Sequence, residues 1–197
     1  MQMIVTSTNG QPNISATAFI SESAVIIGNV TIEDDVFVAP NATIRADEPG
    51  SKVVIRSGCN VQDNVVVHAL LGSTAEIRHN SSLGHGCIVH GPCVIGEDCF
   101  IGFGSIVFQS VLGDACIVLH RAIIQDVVIP AGKVIGNGQI IEGERQVKSL
   151  EVVPSHLADF ARKVVETNRH LVQDHCRAMG RFDLEEARAS TNNVNSS

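Results

Sequence analysis

An aliphatic residue recurs at every sixth position along most of the chain. The positions are Ile20, Ile26, Ile32, Val38, Ile44, Ile55, Val61, Val67, Ile77, Leu83, Val89, Ile95, Ile101 and Val107 and, after a slip of one residue, Leu112, Val118 and Ile124. A period of six is neither the helical period nor the simple alternation of an exposed strand. It is typical of the hexapeptide repeats of a parallel β-helix.

A second restricted position lies four residues after each of these aliphatic residues. It holds Ala24, Val30, Val36, Ala42, Cys59, Val65, Ser81, Cys87, Cys93, Cys99, Ser105, Cys116, Ala122 and Val128. Small and medium side chains suit a narrow prism whose strands all share one axial core. Gly, Asn and Asp between the repeats favour tight corners. We therefore predict an all-β fold, a parallel β-helix of three rungs per coil over residues 1–150.

The C-terminal part has a different period. Ser155 is a plausible N-cap, and Gly180 would end the helix. Between them, apolar residues recur at roughly helical spacing, at Leu157, Phe160, Val164, Leu171 and Met179. We predict a C-terminal α-helix within residues 151–182 that packs on the β-helix, followed by a disordered polar tail over residues 183–197.

Composition and charge narrow the function classes. Five of the six cysteines occupy the small inward position and none forms a CxxC pair, so we interpret these five as core residues. The formal net charge of −7 disfavours a nucleic-acid partner. No apolar run has the length of a membrane span, and no signal segment opens the chain. With reduced cysteines, these features favour a cytoplasmic protein.

Two insertions interrupt the repeat. After Ile44, the carboxylate of Glu48 stands where a small inward residue is expected, and burying it unpaired would be costly. We therefore expect the coil to open at residues 47–50 and free Glu48. After Val67, four extra residues delay the next rung, and His68 directly precedes this second insertion.

Three histidines have directions that the repeat determines. His68 and His90 each follow an aliphatic core residue, and one coil plus the insertion separates them, so both should point outward from the same face. His85 belongs to the preceding rung and to a neighbouring face. Three imidazoles would leave the fourth position of one metal open, as in hydrolytic or hydration catalysts. Since one chain does not align all three, the site predicts a threefold neighbour that presents its own His85.

Four segments together resemble the γ-class carbonic anhydrases. They are IRADE at 44–48, NVQDNVVVHAL from Asn60, SLGHGCIVHGP around His85 and IGFGSIVF from Ile101. The similarity covers about residues 14–150 and is greatest to the carboxysomal carbonic anhydrase-like domains and to homologues that lack the acidic loop. The resemblance implies a left-handed β-helix, a homotrimer and one divalent metal at each subunit interface.

The resemblance also implies roles for single residues. His68 and His90 match the metal ligands of one subunit, and His85 matches the ligand from its neighbour. The matching polar and interface residues are Glu48 (active-site glutamate), Gln62 and Asn60 (near the metal-bound water), Arg45 and Asp47 (subunit contact) and Asp63 (interface or support of a ligand). We expect zinc, although Fe(II) or Co(II) accepts the same ligands.

The implied reaction is hydration of carbon dioxide to bicarbonate. Gln62 could orient the reactants, and Glu48 could pass the proton outward. The segment Ala69–Glu76 is shorter than the acidic loop of the family prototype and holds only Glu76 as an acid, which predicts slow turnover. Glu166 stands where the family has a tyrosine, so Glu166 and Glu76 are the candidate proton shuttles.

Two other function classes stay open. A hexapeptide acyltransferase would use one catalytic histidine, but it would leave two of the three histidines unexplained. A metal-binding scaffold without activity would keep all three histidines. The remaining histidines are interpreted as ordinary surface or packing residues, namely His79, His120, His156, His170 and His175.

Overall fold

The computed structural model describes residues 3–180, which form a parallel β-solenoid of about eight turns followed by a long helix. Each turn passes through three sheets, here named A, B and C, because one short strand per rung pairs with its equivalent in the next turn. The predicted left-handed parallel β-helix with a C-terminal helix is confirmed.

The strands are numbered in chain order. Sheet A contains β1 (Met3–Val5), β4 (Val25–Gly28), β7 (Thr43–Ala46), β10 (Val66–His68), β13 (Ile88–His90), β16 (Ile106–Phe108), β19 (Ile123–Gln125) and β22 (Ile140–Ile141). Sheet B contains β2 (Asn13–Ile14), β5 (Val30–Ile32), β8 (Lys52–Ile55), β11 (Thr74–Ile77), β14 (Cys93–Ile95), β17 (Val111–Leu112) and β20 (Val128–Ile129). Sheet C contains β3 (Phe19–Ile20), β6 (Phe37–Val38), β9 (Asn60–Val61), β12 (Ser82–Leu83), β15 (Phe100–Ile101), β18 (Ile117–Val118), β21 (Lys133–Ile135) and the antiparallel β23 (Glu151–Val152).

The axial core is the one that the six-residue period predicts. Every aliphatic residue of the repeat is at most 4% exposed, and Ile129, Ile135 and Ile141 continue the series. The five inward cysteines are free and lie in this core, which confirms their interpretation as packing residues. Burial raises the pKa of the Cys59 and Cys87 thiols to about 12, so they stay protonated and unreactive.

One predicted core position is wrong. Val128 is 68% exposed, and Val127 is buried in its place. The rung from Ile124 to Ile129 is one residue shorter than the six-residue period, like the rung from Val107 to Leu112. A shift of one residue in a strand turns every side chain to the opposite side.

The coil opens where Glu48 interrupts the repeat, as predicted. Residues 47–51 form a turn at the corner between sheets A and B, the A–B corner, and the Glu48 side chain is 33% exposed. The second insertion forms a turn at the same corner in the next coil. The two turns are joined by a hydrogen bond of 3.0 Å from the Gly72 amide to the Pro49 carbonyl.

Helix α1 (Glu144–Lys148) closes the last coil, and helix α2 (Ser155–Ala178) packs along sheet C. Near its start, Ala161 contacts the Phe100 and Ile117 cluster, and near its end Val172 and Cys176 contact Phe19 and Phe37. Gly180, with φ of 69°, follows the end of α2 as predicted.

Two predictions about α2 are wrong. Pro154 occupies the N-cap without a side-chain cap hydrogen bond, and Ser155 is the first helical residue. Two predicted packing residues, Leu171 and Met179, are 38% and 47% exposed, whereas Phe160 is 45% exposed but its ring lies 5.3 Å from that of Phe100. The predicted tail over 183–197 lies outside the described residues. Within residues 3–180, no helix combines the length and apolarity needed to cross a bilayer.

Candidate metal centre

His68 and His90 lie side by side on sheet A. Parallel pairing of β10 with β13 places the two residues directly opposite each other, and the Nδ1 of His68 lies 3.0 Å from the Nε2 of His90. The other two ring nitrogens, His68 Nε2 and His90 Nδ1, are buried and have no hydrogen-bond partner among the described residues. Buried polar atoms without partners are rare, and they mark this pair as a candidate ligand pair.

Glu48 lies against this pair from the A–B corner. Its Oε1 is 3.2 Å from His68 Nε2, and its Oε2 accepts a hydrogen bond of 2.7 Å from the Leu71 amide. One carboxylate oxygen is therefore anchored on the second insertion, and the other is directed at the histidines.

The environment of His68 favours the neutral imidazole. Burial lowers its pKa below the usual 6.5, and the nearby Arg45 cation and His90 act in the same direction, against the carboxylates of Glu48 and Asp47. A neutral ring keeps a nitrogen lone pair available, which a metal ligand requires.

His85 lies at the corner between sheets C and A, the C–A corner, on the other edge of sheet A. Its Nδ1 is 2.8 Å from Asp63 Oδ2, and donation of the Nδ1 proton to that carboxylate leaves the Nε2 lone pair free. The ring also lies 5.0 Å from Phe103, which stacks on His120 at 4.5 Å. His120 Nδ1 in turn accepts a hydrogen bond of 3.0 Å from the Phe103 amide.

Sequence reasoning assigned no role to Phe103 and treated His120 as ordinary. Both occupy the position of His85 in later coils, so their common place in the repeat could have predicted the stack.

Gln62 and Asn60 lie on sheet C, beneath α2. Gln62 Nε2 donates to Asn60 Oδ1 at 3.0 Å and to Asn168 Oδ1 at 2.8 Å. Asn60 Nδ2 donates to Ser82 Oγ at 2.7 Å. This polar contact lies between the two apolar clusters of α2 and fixes Gln62 directly before Asp63 at the C–A corner.

The other predicted residues lie in three places. Arg45 Nε donates to Asp47 Oδ1 at 2.9 Å within one chain, beside His68. Glu76 lies on sheet B, where it pairs with Arg56 at 2.7 Å, and is not brought to the histidines. Glu166 lines a cavity of about 610 Å³ between α2 and the corner that joins sheets B and C.

The three histidines do not converge in a single chain. Within residues 3–180, no group of three His, Cys, Asp or Glu side chains is arranged to hold a metal ion. His68, His90 and Glu48 occupy one edge of sheet A, and His85 with Asp63 occupies the other. Imidazole nitrogens beside a carboxylate are a donor set that zinc accepts, so the residues present fit such a metal.

Comparison with known proteins supports a common origin with carbonic anhydrases. The chain is 34% identical over 195 residues to the carbonic anhydrase of Methanosarcina thermophila, which covers 87% of this chain and 78% of that protein. It is 37% identical over 171 residues to the carboxysome assembly protein CcmM of a Nostoc species, covering 82% of this chain and 31% of that protein. The chain therefore spans about a third of that longer relative.

Comparisons of repeat and fold agree with this relationship. The family described as bacterial transferase hexapeptide (six repeats) matches residues 74–109. A hexapeptide transferase family protein from Anaplasma phagocytophilum has a TM-score of 0.74 at 24% identity, covering 88% of this chain and 98% of that one. At that identity the likeness concerns the fold alone. The 34% identity to the Methanosarcina thermophila carbonic anhydrase over 87% of this chain shows that the chain belongs to the γ-class carbonic anhydrase family of hexapeptide-repeat proteins.

Proposed function

We propose that this chain is the subunit of a homotrimeric carbonic anhydrase, which hydrates carbon dioxide to bicarbonate at metal sites shared between subunits. The observation that carries the proposal is the placement of the histidines on opposite edges of sheet A. His68 and His90 form a pair whose other two ring nitrogens are buried without a hydrogen bond, with Glu48 Oε1 3.2 Å from His68 Nε2, and His85 Nδ1 is held by Asp63. A cyclic arrangement brings one edge of each copy against the other edge of the next.

The outer surface of sheet A supports assembly. One column of outward residues is apolar except for Thr43, and it runs through Met3, Val25, Thr43, Val66, Ile88, Ile106, Ile123 and Ile140. A largely apolar strip on one face is typical of an interaction surface and supports the proposed assembly. The histidine column lies directly beside it, so burying this strip between subunits would also enclose His68 and His90.

We propose zinc as the metal, held by His68 and His90 of one subunit and His85 of the next. When bound, it supplies the Lewis acidity that makes water nucleophilic at neutral pH. The residues around it act on the reactants and the proton. Glu48 holds a free carboxylate oxygen beside the ligand pair and accepts the proton, while Leu71 keeps the other oxygen in place.

The remaining polar residues orient their neighbours. Asp63 fixes the tautomer of His85. The Gln62 amide nitrogen donates hydrogen bonds to Asn168 and Asn60. These bonds fix the Gln62 side chain near the C–A corner, where it can orient the reactants. Arg45, paired with Asp47, borders His68 where the neighbouring subunit would approach.

Metal content and the hydration rate of carbon dioxide test this proposal. Both are measured on anaerobically purified protein, before and after chelation. We expect about one metal per chain, hydration that chelation abolishes and recovery on adding metal back. Absence of bound metal in a folded, assembled protein would contradict the site itself.

A metal-binding scaffold with little activity is the second candidate. It is favoured by the environment of Glu76, which is paired with Arg56 on another sheet, so the shortened insertion brings no acid of its own to the histidines. In the same experiment, stoichiometric metal without hydration would favour the scaffold.

A further inference from the structure

The turn that precedes the first full coil lies against the Glu48 turn. Ser7 and Gly10 close it with backbone hydrogen bonds of 2.9 and 3.1 Å, and the backbone N–H of Asn9 donates to Ser7 Oγ at 3.1 Å. The turn joins sheet A to sheet B, so it lies at the A–B corner. The half-buried Asn9 side chain is thereby directed at residues 46–51 of a later coil.

The Asn9 side chain binds both ends of the Glu48 turn. Its Nδ2 donates to the Ala46 carbonyl at 2.9 Å and to the Ser51 carbonyl at 2.8 Å, and its Oδ1 accepts from the Gly50 amide at 2.8 Å. A primary amide has two donor hydrogens and one acceptor oxygen, and each finds a partner here. The backbone groups before and after Glu48 are therefore joined through one side chain.

Glu48 is the residue that this turn presents. Its carbonyl accepts hydrogen bonds from Ser51 N at 3.0 Å and Ser51 Oγ at 2.7 Å, and Ser51 is fully buried. Its carboxylate is held by the Leu71 amide on one oxygen and lies 3.2 Å from His68 Nε2 with the other. The carboxylate keeps this position only while the turn keeps its shape.

From these contacts we infer that Asn9 is a positioning residue, which holds the Glu48 carboxylate beside the histidine pair. The catalytic role of Glu48 rests on the proposed function. The positioning of its carboxylate by Asn9 does not. Asn9 touches neither the histidines nor Leu71 among the contacts described. An effect of Asn9 on the Leu71 amide can therefore arrive through the Glu48 carboxylate or through the backbone bond from the Gly72 amide to the Pro49 carbonyl, and exchange at Gly72 distinguishes the two routes.

Amide hydrogen exchange of the assembled protein tests the inference without using activity. In Asn9→Ala, we expect faster exchange at Gly50, which loses its acceptor, and also at Leu71, about 10-fold or more. Glu48→Ala is the positive control for Leu71. Asn137→Ala is the matched control, because the Asn137 side chain also accepts a backbone hydrogen bond, from the His120 amide at 2.9 Å, but at a different corner.

The outcomes are distinct. Faster exchange at Leu71 with unchanged protection of the Gly72 amide, which bonds to the Pro49 carbonyl, and of the Gly91 amide, which bonds to the His68 carbonyl inside the solenoid, supports the inference. Equal loss of protection at Leu71 and Gly72 would show that Asn9 supports the turn as a whole and would overturn the inference. If Asn9→Ala also exposes Gly91, Asn9→Asp decides, since it keeps the acceptor for Gly50 and loses both donors. If a folded variant without the Asn9 donors exchanges the Leu71 amide at the wild-type rate, the inference is wrong.

Hydration kinetics provide a second test. Asn9→Ala should lower kcat about 10-fold with little change in KM, and it should have no further effect in a Glu48→Gln background. If the two losses multiply, Asn9 acts independently of Glu48 and the inference is wrong. A wild-type protein without hydration activity would contradict the proposed function, while the exchange experiment would still decide the role of Asn9.

Discussion

His68 and His90 face each other across adjacent parallel strands, with the Nδ1 of His68 3.0 Å from the Nε2 of His90. Their spacing follows from strand pairing, since equivalent residues of neighbouring strands are separated by the sheet spacing. The pair is therefore built into the solenoid before any metal or second subunit is present. His85 lies on the other edge of sheet A, and in the proposed trimer a neighbouring subunit would bring its own His85 to the pair.

Mixing two ligand variants tests the shared site. His85→Ala and His68→Ala should each lose metal and remain folded and trimeric. In each trimer that contains both variants, one of the three interfaces combines intact His68 and His90 with an intact His85, so metal binding should return to about a third of the wild-type level. Metal analysis of trimers with confirmed mixed composition measures this. Continued absence of metal there would exclude a site divided between subunits.

The apolar column of sheet A should determine assembly. Ile106→Glu places a charge in the middle of the strip, where burial of an unpaired carboxylate is unfavourable, so we expect monomers without bound metal. Val128→Glu, at a position of sheet B that is 68% exposed, is the control and should stay trimeric. Light scattering after size-exclusion chromatography gives the mass. A trimeric Ile106→Glu variant would place the interface elsewhere.

Phe103 should strengthen metal binding by limiting the motion of His85. Removal of one aromatic contact costs about 1 kcal/mol, so Phe103→Ala should weaken metal affinity about fivefold. Phe160→Ala is the control, because Phe160 is equally exposed at 45% and contacts Phe100 at 5.3 Å, under α2. Competition with a chelator of known affinity measures both variants. Equal affinities would show that the stack does not orient His85.

The lowered pKa of His68 predicts how stability depends on pH in the metal-free protein. The folded pKa lies below the unfolded value of 6.5, so the unfolded chain takes up a proton first as the pH falls. This contribution to stability is complete above pH 6.5 and is lost as the pH falls toward the folded pKa, by at most about 1.4 kcal/mol per pH unit. Urea unfolding between pH 8 and 5 at one protein concentration measures it. His68→Gln should reduce the dependence of stability on pH in that window. An unchanged slope would show that other groups cause the dependence.

The helix shows where sequence periodicity was insufficient. Phe160 and Leu171 are the larger apolar residues, but Ala161, Val172 and Cys176 are the buried ones. Sheet C already presents Phe19, Phe37 and Phe100, so small side chains allow α2 to approach. Which face of a helix is buried depends on the surface it meets, and that surface is not visible in the periodicity of the helix.

The sequence by itself determined the solenoid, its core and the directions of His68 and His90. A strict repeat assigns each residue to the inside or the outside, because side chains alternate along a strand and every coil stacks on the last. It failed only where a rung is shorter, at Val128. Tertiary structure alone decided the contact of Asn9 with the Glu48 turn and the link from Gln62 to Asn168. These contacts join corners and a helix, whose side-chain directions follow from local turn geometry and packing, which no six-residue period encodes.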